Sequence, residues 1–374
     1  MKKNKQEKGI TLIALIITIV ILLILAVVTV ASIQNDEMLG HAADAGSAYN
    51  KAQKDEVETL GQHKETLNKY TPSQEEVATV KNKIINETSN TEVVDKYGNK
   101  IIVPAGFKIR VDDTTNNADV VTKGIVVEDK IGNQFVWIPV GNVYTNVNRD
   151  AYETIEISRY IFASDGIAKV QGDAVIDSYY KELKTSEYKN ATARNLGDFL
   201  TSAKQKCGYY IGRYEAGNLS NTVVCKEGQT IYNYITQSTA SSLAQGMYAD
   251  GYSSGTFSSD LINSYAWDTA IAFIQKFSTE LDASNYSNLN KSTNFTTTGT
   301  NKDEYCNIND MSGNVSEWST ETYSNGGTSP NVSRGGYFGA YSGTTSRYTK
   351  YRNYLGENYS SSNVGFRPIL YVGL

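Results

Sequence analysis

The sequence predicts an α+β protein in which a long N-terminal transmembrane helix and a helical stalk precede a large, irregular, β-rich domain. Residues 10–31 are apolar and carry no charge. Residues 34–92 are polar and rich in helix-forming residues. From Val93 onward, short runs of β-branched and aromatic residues alternate with Gly, Asn and Pro, which is typical of strands joined by turns.

The bulk composition excludes several classes of function. A chain of 374 residues holds one large domain with appendages, or two modest domains. Its net charge of −5 argues against a nucleic-acid partner, because binding to phosphates needs clustered Lys and Arg. His41 and His63 are the only histidines, which excludes a three-histidine metal centre. The 27 tyrosines against 10 phenylalanines favour a wet, semi-exposed surface.

The N-terminus predicts a single-pass membrane anchor. Residues 1–9 form a basic leader, and residues 10–33 form the expected transmembrane helix, whose apolar core of 22 residues spans roughly 33 Å. The lysines before this helix place the N-terminus in the cytoplasm and the C-terminal domain outside the cell. The alternative is a cleaved secretory signal, although its apolar part would span only about 7–15 residues.

The order of residues in this segment resembles the type IV prepilin family. A basic leader, then Gly9, then the run "ITLIALIITIVILLILA" matches the family pattern of a glycine before an apolar helix. The resemblance implies cleavage by a prepilin peptidase between Gly9 and Ile10, with Ile10 becoming a methylated N-terminus. It also implies other pilin-like subunits as partners. Ala14 departs from the family, which has Glu at that position, and this weakens the case for regular filament assembly.

Residues 34–92 are predicted to form a polar stalk of one or two helices, with a break at Pro72. No heptad repeat is sustained long enough to predict a coiled coil. The domain expected over residues 93–374 opens with strand-like runs such as "KIIVPAGFKI" and "GNQFVWIPV". In its middle, "SYAWDTAIAFIQKF" places Ala266, Ala270, Phe273 and Phe277 at helical spacing, which predicts an amphipathic helix.

A series of phrases along this domain resembles the formylglycine-generating enzyme, or sulfatase-modifying-factor, family. In chain order they are "FVWIPVG", "YYIGRYEAGN", "DMSGNVSEW", "RGGYF" and "GFR", and they run from Phe135 to Leu370. The Ser- and Gly-rich stretch near residues 237–260 looks like an insertion. The resemblance implies an irregular α+β variant of the C-type lectin fold.

The same resemblance argues against the family's chemistry. Catalytic members carry a copper-binding cysteine pair between the RGG and GFR phrases, and that interval, Tyr337 to Val364, contains no cysteine. A second branch binds iron through histidines, which this domain lacks. A Ser or Thr cannot replace a thiolate as metal ligand and redox group, so we expect neither copper nor iron, and no enzyme activity.

The phrase "DMSGNVSEW" implies a calcium site by its resemblance to the family. The matching positions are the carboxylates of Asp310 and Glu317 and the carbonyls of Gly313 and Val315, which are hard oxygen ligands suited to Ca²⁺. The alternative is a turn in which Glu317 caps a helix or pairs with an arginine while Trp318 fills the core. Trp137 is also expected in the core.

The stretch "RGGYFGAYSGTTSRYTKYR" and the residues after it predict a ligand-binding surface. Tyr and adaptable Ser, Gly and Asn residues are the composition of antibody paratopes. The candidate ligand contacts are Tyr341, Tyr348, Tyr351, Tyr354 and Arg347. At least three of the four tyrosines are predicted to be exposed on one face, whereas Phe338 is expected to be buried.

Two alternative roles stay open for the remaining arginines and for two of the cysteines. Arg334, Arg352 and Arg367 either face a ligand or hold loops, and Arg367 is expected to hold loops. Cys207 and Cys225 either pair outside the cell or stay as buried thiols.

Together these features predict a membrane-anchored, outward-facing, pilin-like surface protein with a non-catalytic lectin-like domain for a protein or glycan ligand. The alternatives are a sulfatase-modifying enzyme, a structural minor pilin head, and the variable protein of a diversity-generating retroelement.

Overall fold

The computed structural model of the chain describes residues 12–33, 48, 51–56, 59, 85–162, 168–171, 180–182, 193–278, 294–300, 304–323, 331–339 and 348–373. The chain divides into two compact units, Met1–Thr71 and Pro72–Leu374. Most of the expected stalk, together with Gly9 and Ile10, lies outside the described residues, so the processing site and the stalk stay predictions.

The part of the first unit that the structure describes contains one long helix. Helix α1 spans Leu12–Ile33, inside the segment for which a helix was predicted, and residues 51–56 are also helical. The side chains of α1 are described only over residues 16–27. Among the described residues, no helix is both long enough and apolar enough to cross a membrane.

The second unit is built mainly from short strands. In chain order the strands are β1 (Thr91–Val94), β2 (Lys100–Val103), β3 (Lys108–Arg110), β4 (Val126–Glu128), β5 (Gln134–Pro139), β6 (Gly141–Tyr144), β7 (Tyr152–Ile155), β8 (Arg159–Phe162), β9 (Ala168–Gln171), β10 (Tyr180–Glu182), β11 (Gly208–Gly212), β12 (Gly217–Leu219), β13 (Thr222–Val224), β14 (Phe257–Leu261), β15 (Glu304–Tyr305), β16 (Ile308–Asn309), β17 (Ser316–Tyr323), β18 (Asn331–Arg334), β19 (Arg352–Leu355), β20 (Val364–Phe366) and β21 (Pro368–Val372). The helices are α2 (Leu196–Gln205), α3 (Gln237–Gly246), α4 (Ala249–Ser253) and α5 (Ser264–Phe277), with 3₁₀ turns at Asp113–Thr115 and Val121–Lys123.

A six-stranded sheet with the order β14-β21-β11-β5-β4-β3 forms the centre of this unit, and its neighbouring strands are antiparallel. Both faces of the sheet are buried. On β5, Val136 and Ile138 point to the face covered by α2 and α5, whereas Phe135 and Trp137 point to the opposite face. Each such side chain contributes about 1.5–3 kcal/mol by leaving water. Trp137 is fully buried, as predicted.

Helix α5 lies where the apolar spacing predicted it. The Asn263 side chain accepts a hydrogen bond from the Ala266 N–H at 2.9 Å and so caps the first turn. Ala266, Ala270 and Phe273 are fully buried against the central sheet. Asp268 on the same helix is also fully buried, and it faces the second sheet through ion pairs.

The second sheet carries the order β10-β17-β18-β19, and β20 pairs with β17 in parallel. Trp318 on β17 and Phe366 on β20 form an apolar cluster with Ala240 and Ala244 of α3. The 237–260 stretch that looked like an insertion is therefore structural. It forms α3, α4 and the edge strand β14 of the central sheet, because its Ala residues occur at helical spacing and its last residues pair with β21.

Candidate ligand-binding face

Three tyrosines form a continuous row on the second sheet. Tyr180 of β10 pairs directly with Tyr323 of β17, and their ring centroids are 4.9 Å apart. The Tyr323 ring stacks face to face on Tyr354 of β19, with centroids 4.5 Å apart and planes 13° from parallel. Tyr354 is 54% exposed, whereas the other two are half-buried. We call Tyr180, Tyr323 and Tyr354 the tyrosine row.

The sequence-predicted contacts are distributed unevenly around this row. Tyr354 belongs to it, and Tyr348 and Tyr351 lie half-buried just before β19. Tyr341 and Arg347 lie outside the described residues, so their role stays a prediction. Among the predicted tyrosines that the structure describes, Tyr354 is the exposed one, so the prediction that at least three of the four are exposed is wrong, because Tyr348 and Tyr351 lie in a turn packed against the domain. Phe338, which was expected to be buried, is half-buried.

Buried side chains hold the backbone that leads into β19. The indole N–H of Trp267 donates to the Thr349 carbonyl at 2.9 Å, and Arg334 Nε donates to the Tyr351 carbonyl at 3.3 Å. The ladder between β18 and β19 begins directly afterwards, with Arg334 opposite Arg352. These contacts explain why a segment without apolar periodicity still has a defined path.

A buried ionic network lies beside the tyrosine row, with Arg352 Cζ 5.9 Å from the centroid of the Tyr180 ring. Arg352 Nε donates to both Glu321 oxygens at 2.9 and 3.0 Å, and its Nη2 donates to Asp268 Oδ2 at 2.6 Å. Arg334 joins the same two carboxylates, with Nη2 to Asp268 Oδ1 at 2.5 Å and Nη1 to Glu321 Oε2 at 3.3 Å. Arg159 also pairs with Glu321. The Arg352 side chain is 12% exposed, and Arg334 is fully buried.

The arginines keep these carboxylates ionised. Burial alone would raise the pKa of Asp268, but Arg334 and Arg352 hold it below its ordinary value. Burial opposes ionisation of Glu321 as well, and three guanidinium groups lower its pKa. These paired charges give the strands that carry the row a fixed geometry, because moving any one of the side chains would weaken several buried contacts at once.

The residues of the predicted calcium site are buried, and two of them, Asp310 and Glu317, contact an arginine. Arg367 donates from Nε to both oxygens of Glu317 at 3.0 and 2.9 Å, and from Nη2 to Oε1 at 2.5 Å. Its Nη2 also donates to the main-chain oxygens of Asn309 and Asp310 at 2.8 and 3.2 Å. The expected structural role of Arg367 agrees with this geometry, since the side chain is fully buried.

Asp310, Gly313 and Val315 belong to the turn that leads into β17. Asp310 Oδ2 accepts from the Gly299 N–H at 3.1 Å, and the Val315 N–H donates to Glu215 Oε1 at 3.1 Å. Burial, together with the neighbouring carboxylates of Asp310 and Glu317, raises the pKa of Glu215 well above its ordinary value. No pattern in the sequence indicated that Glu215 would join this cluster.

This donor set does not fit a calcium ion as it stands, because both oxygens of Glu317 already accept from Arg367. A cation would have to share Glu317 with the guanidinium or displace it. Over the described ranges, no group of three or more His, Cys, Asp or Glu side chains is arranged to hold a metal ion. The calcium site is therefore an implication of the resemblance alone, and the Arg367–Glu317 ion pair argues against it.

The three cysteines are free thiols. Cys207 directly precedes β11, which ends at Gly212. The Cys225 sulfur lies at that far end of the strand, 3.0 Å from the position that a Cβ on Gly212 would take. Five strand residues extend roughly 16 Å. A disulfide needs Cα atoms within about 7 Å, so Cys207 and Cys225 do not pair.

The C-terminal part of the chain is similar to a known protein family. Residues 237–371 match the model of the sulfatase-modifying factor enzyme 1-like domain. The phrases "DMSGNVSEW", "RGGYF" and "GFR" lie inside the matched residues, and the phrases between Phe135 and Asn218 lie outside them. The C-terminal part is therefore a sulfatase-modifying factor-like domain in a mixed α+β unit.

Two solved structures resemble the chain at low similarity. One is described as "Crystal Structure of CarF", with 15% identity and a TM-score of 0.32, covering 44% of this chain and 86% of that one. The other is Treponema denticola variable protein 1, with 17% identity and a TM-score of 0.24, covering 42% of this chain and 61% of that one. No curated protein matched the sequence.

Proposed function

We propose that the chain is a membrane-anchored, outward-facing protein whose sulfatase-modifying factor-like domain binds a protein or glycan ligand without catalysing a reaction. The tyrosine row carries the proposal, because Tyr354 presents a half-exposed ring on strands that are fixed by buried ion pairs. Rigid aromatic side chains offer a large contact area at a low entropic cost. The anchor would be the apolar N-terminal segment, processed at Gly9 by a prepilin peptidase.

The thiol chemistry of the domain supports a non-catalytic role. Burial raises the pKa of Cys225 to about 11 and that of Cys306 to about 12, so both stay protonated at neutral pH. A protonated thiol is a poor nucleophile and a poor metal ligand. The interval between Tyr337 and Val364 supplies no cysteine either.

The binding proposal is tested with the full chain in detergent micelles. The immobilised protein is screened against printed neutral and acidic oligosaccharides and against a phage-displayed peptide library, and each hit is titrated. Tyr354→Ala should weaken binding by about 2 kcal/mol or more, roughly thirtyfold. Tyr152→Ala is the matched control, because Tyr152 is also 54% exposed but lies on β7. Equal losses in both variants, or no loss in Tyr354→Ala, would refute the tyrosine row as the binding face.

The non-catalytic part of the proposal has its own test. The purified chain should leave a cysteine-containing sulfatase peptide unconverted, with or without added copper. Mass spectrometry of the peptide detects formylglycine directly. Conversion of the peptide, or one copper or iron ion per chain in the native protein, would replace the binding role with an enzymatic one.

A further inference from the structure

A cavity of about 560 Å³ opens on the unit Pro72–Leu374, away from the tyrosine row. One side is formed by residues 87–88 and Ala105, and the other by residues from Gly246 to Phe257. None of the lining residues belongs to β10, β17 or β19. The volume lies within the range of small-molecule sites, which is roughly 300–1,000 Å³.

The floor of the cavity is aromatic and fixed. Tyr248 and Phe257 lie with ring centroids 5.5 Å apart, and each is 5.7 Å from the buried Phe107 ring. The Tyr248 hydroxyl donates to Asp129 Oδ2 at 2.6 Å and accepts from Asn133 at 3.2 Å. Because the hydroxyl is engaged behind the floor, the ring offers apolar surface to the cavity.

Two glycines in the wall differ in their surroundings. A Cβ built on Gly246 would meet no heavy atom within 4 Å, so this position faces open space. A Cβ on Gly251 would come within 2.9 Å of the Phe257 ring, so Gly251 packs directly on that ring. Room for a further side chain therefore exists at Gly246 and not at Gly251.

The rim is acidic. Glu87 and Asp250 contribute carboxylates, Thr88, Ser254 and Thr256 contribute hydroxyls, and no Lys, Arg or His is among the lining residues that the structure describes. Glu87 pairs with Lys130 at 2.5 Å, but both side chains are more than half exposed. Exposed pairs of this kind contribute about 0–1 kcal/mol, so a cationic ligand can compete for Glu87.

We propose that this cavity binds a small molecule in which a protonated amine is joined to a flat apolar ring. The ring would pack on the half-buried Tyr248, beside the nearly buried Phe257, and the ammonium group would lie at the Glu87 and Asp250 carboxylates. Aromatic faces and carboxylates both attract a cation, whereas an anion of the same shape meets repulsion at the rim. This site is independent of the tyrosine row.

Three probes of the same shape and different charge test the class of ligand. Phenethylammonium, phenylethanol and phenylacetate are titrated into the full chain in micelles, with saturation-transfer NMR as the readout and empty micelles as the blank. Phenethylammonium should bind at least tenfold more tightly than either of the other two. Equal binding of the three probes, or no binding of phenethylammonium at millimolar concentration, overturns the proposal.

Variants locate the binding in the cavity. Gly246→Leu fills the open volume and should abolish binding, and Asp250→Asn should weaken phenethylammonium binding without strengthening that of phenylethanol. Gly356→Leu is the matched control, because a Cβ at Gly356 also meets nothing within 4 Å but lies far along the chain, after β19. Retained binding in Gly246→Leu, with a melting curve like that of wild type, places the amine elsewhere and overturns the site.

Discussion

Arg367 Nε donates to both carboxylate oxygens of Glu317, at 2.9 and 3.0 Å, and both side chains are fully buried. The same guanidinium donates to the Gly212 carbonyl at 2.9 Å and to the Asn309 carbonyl at 2.8 Å. It therefore connects β11 of the central sheet, the strand β16 and β17 of the second sheet. The GFR phrase thus supplies the arginine of this buried ion pair, and the DMSGNVSEW phrase supplies the glutamate.

Glu317→Gln should destabilise the fold strongly. Removing one partner of a buried ion pair leaves the other charge uncompensated and costs about 3–5 kcal/mol. Urea unfolding followed by tryptophan fluorescence measures this loss. Lys100→Met is the control, because the Lys100–Glu92 pair is exposed and should change stability by less than about 1 kcal/mol. Similar effects of the two substitutions would contradict the role assigned to Arg367.

Calcium should leave the wild-type melting temperature unchanged relative to EDTA, because Arg367 already occupies the Glu317 carboxylate. A calcium ion bound only by the folded state would stabilise it by about 2.7 kcal/mol at a hundredfold excess over Kd. Differential scanning calorimetry separates the two cases. A rise that disappears in Asp310→Ala would establish the calcium site that the resemblance implied.

Gly335→Ala should destabilise the domain by roughly 1–3 kcal/mol. Gly335, the first glycine of the RGG phrase, has a φ of +73°, and a Cβ there would lie 2.8 Å from the Met311 main-chain oxygen. Both the left-handed backbone and the close approach exclude a side chain. Gly356→Ala provides the control at an open position, and denaturant unfolding compares the two. A neutral Gly335→Ala would show that the turn can relax.

The features that the sequence predicted well are local. Helix α5 follows from apolar spacing over four turns, and the burial of Trp137 follows from the β-rich run around it. Each depends on residues within one element. The exposure of Tyr354 was predicted from the Tyr-, Ser- and Asn-rich composition around it, whereas its role as a ligand contact stays a prediction.

The features that the sequence did not predict depend on pairing between distant segments. Tyr180 and Tyr323 are 143 positions apart in the chain, and they become neighbours because β10 pairs with the end of β17. Glu215 reaches the calcium-like turn through Asn314 in the same way, at 2.6 Å. No local period marks such residues, because a strand of three residues carries too little pattern to reveal its partner.

The native protein should begin at Ile10, with a methylated amino group. A prepilin peptidase cuts after the glycine that precedes the apolar helix, which leaves the helix attached. N-terminal sequencing and mass spectrometry of protein isolated from membranes measure the start. Gly9→Leu should block the cleavage, and Gly40→Leu, beyond the apolar segment, should not. A start between Val28 and Ile33 would identify a conventional signal peptide instead.

Asp260 should make the fold less stable as the pH rises from about 4 to about 7. Burial raises the pKa of Asp260 to about 7, against hydrogen bonds from Gln245 and from the Arg194 and Leu261 main-chain N–H groups. In the unfolded chain the Asp260 carboxyl loses its proton near its ordinary pKa, whereas in the folded state it keeps the proton up to about pH 7. The folded state therefore binds more protons than the unfolded state across this pH range. Stability is therefore highest below the unfolded pKa and falls until the folded group has ionised. The full difference corresponds to roughly 4 kcal/mol.

Urea unfolding of wild type and Asp260→Asn at intervals between pH 5 and pH 8 isolates this contribution. Burial also raises the pKa of Glu215, so the slope of wild type alone contains more than one group. The asparagine variant cannot titrate, and its free energy of unfolding should fall less steeply with pH than that of wild type. Its stability at pH 5 will be lower, because an amide cannot accept all three hydrogen bonds, but that offset does not depend on pH. Parallel curves for the two proteins would mean that Asp260 is ionised throughout and that its three donors outweigh its burial.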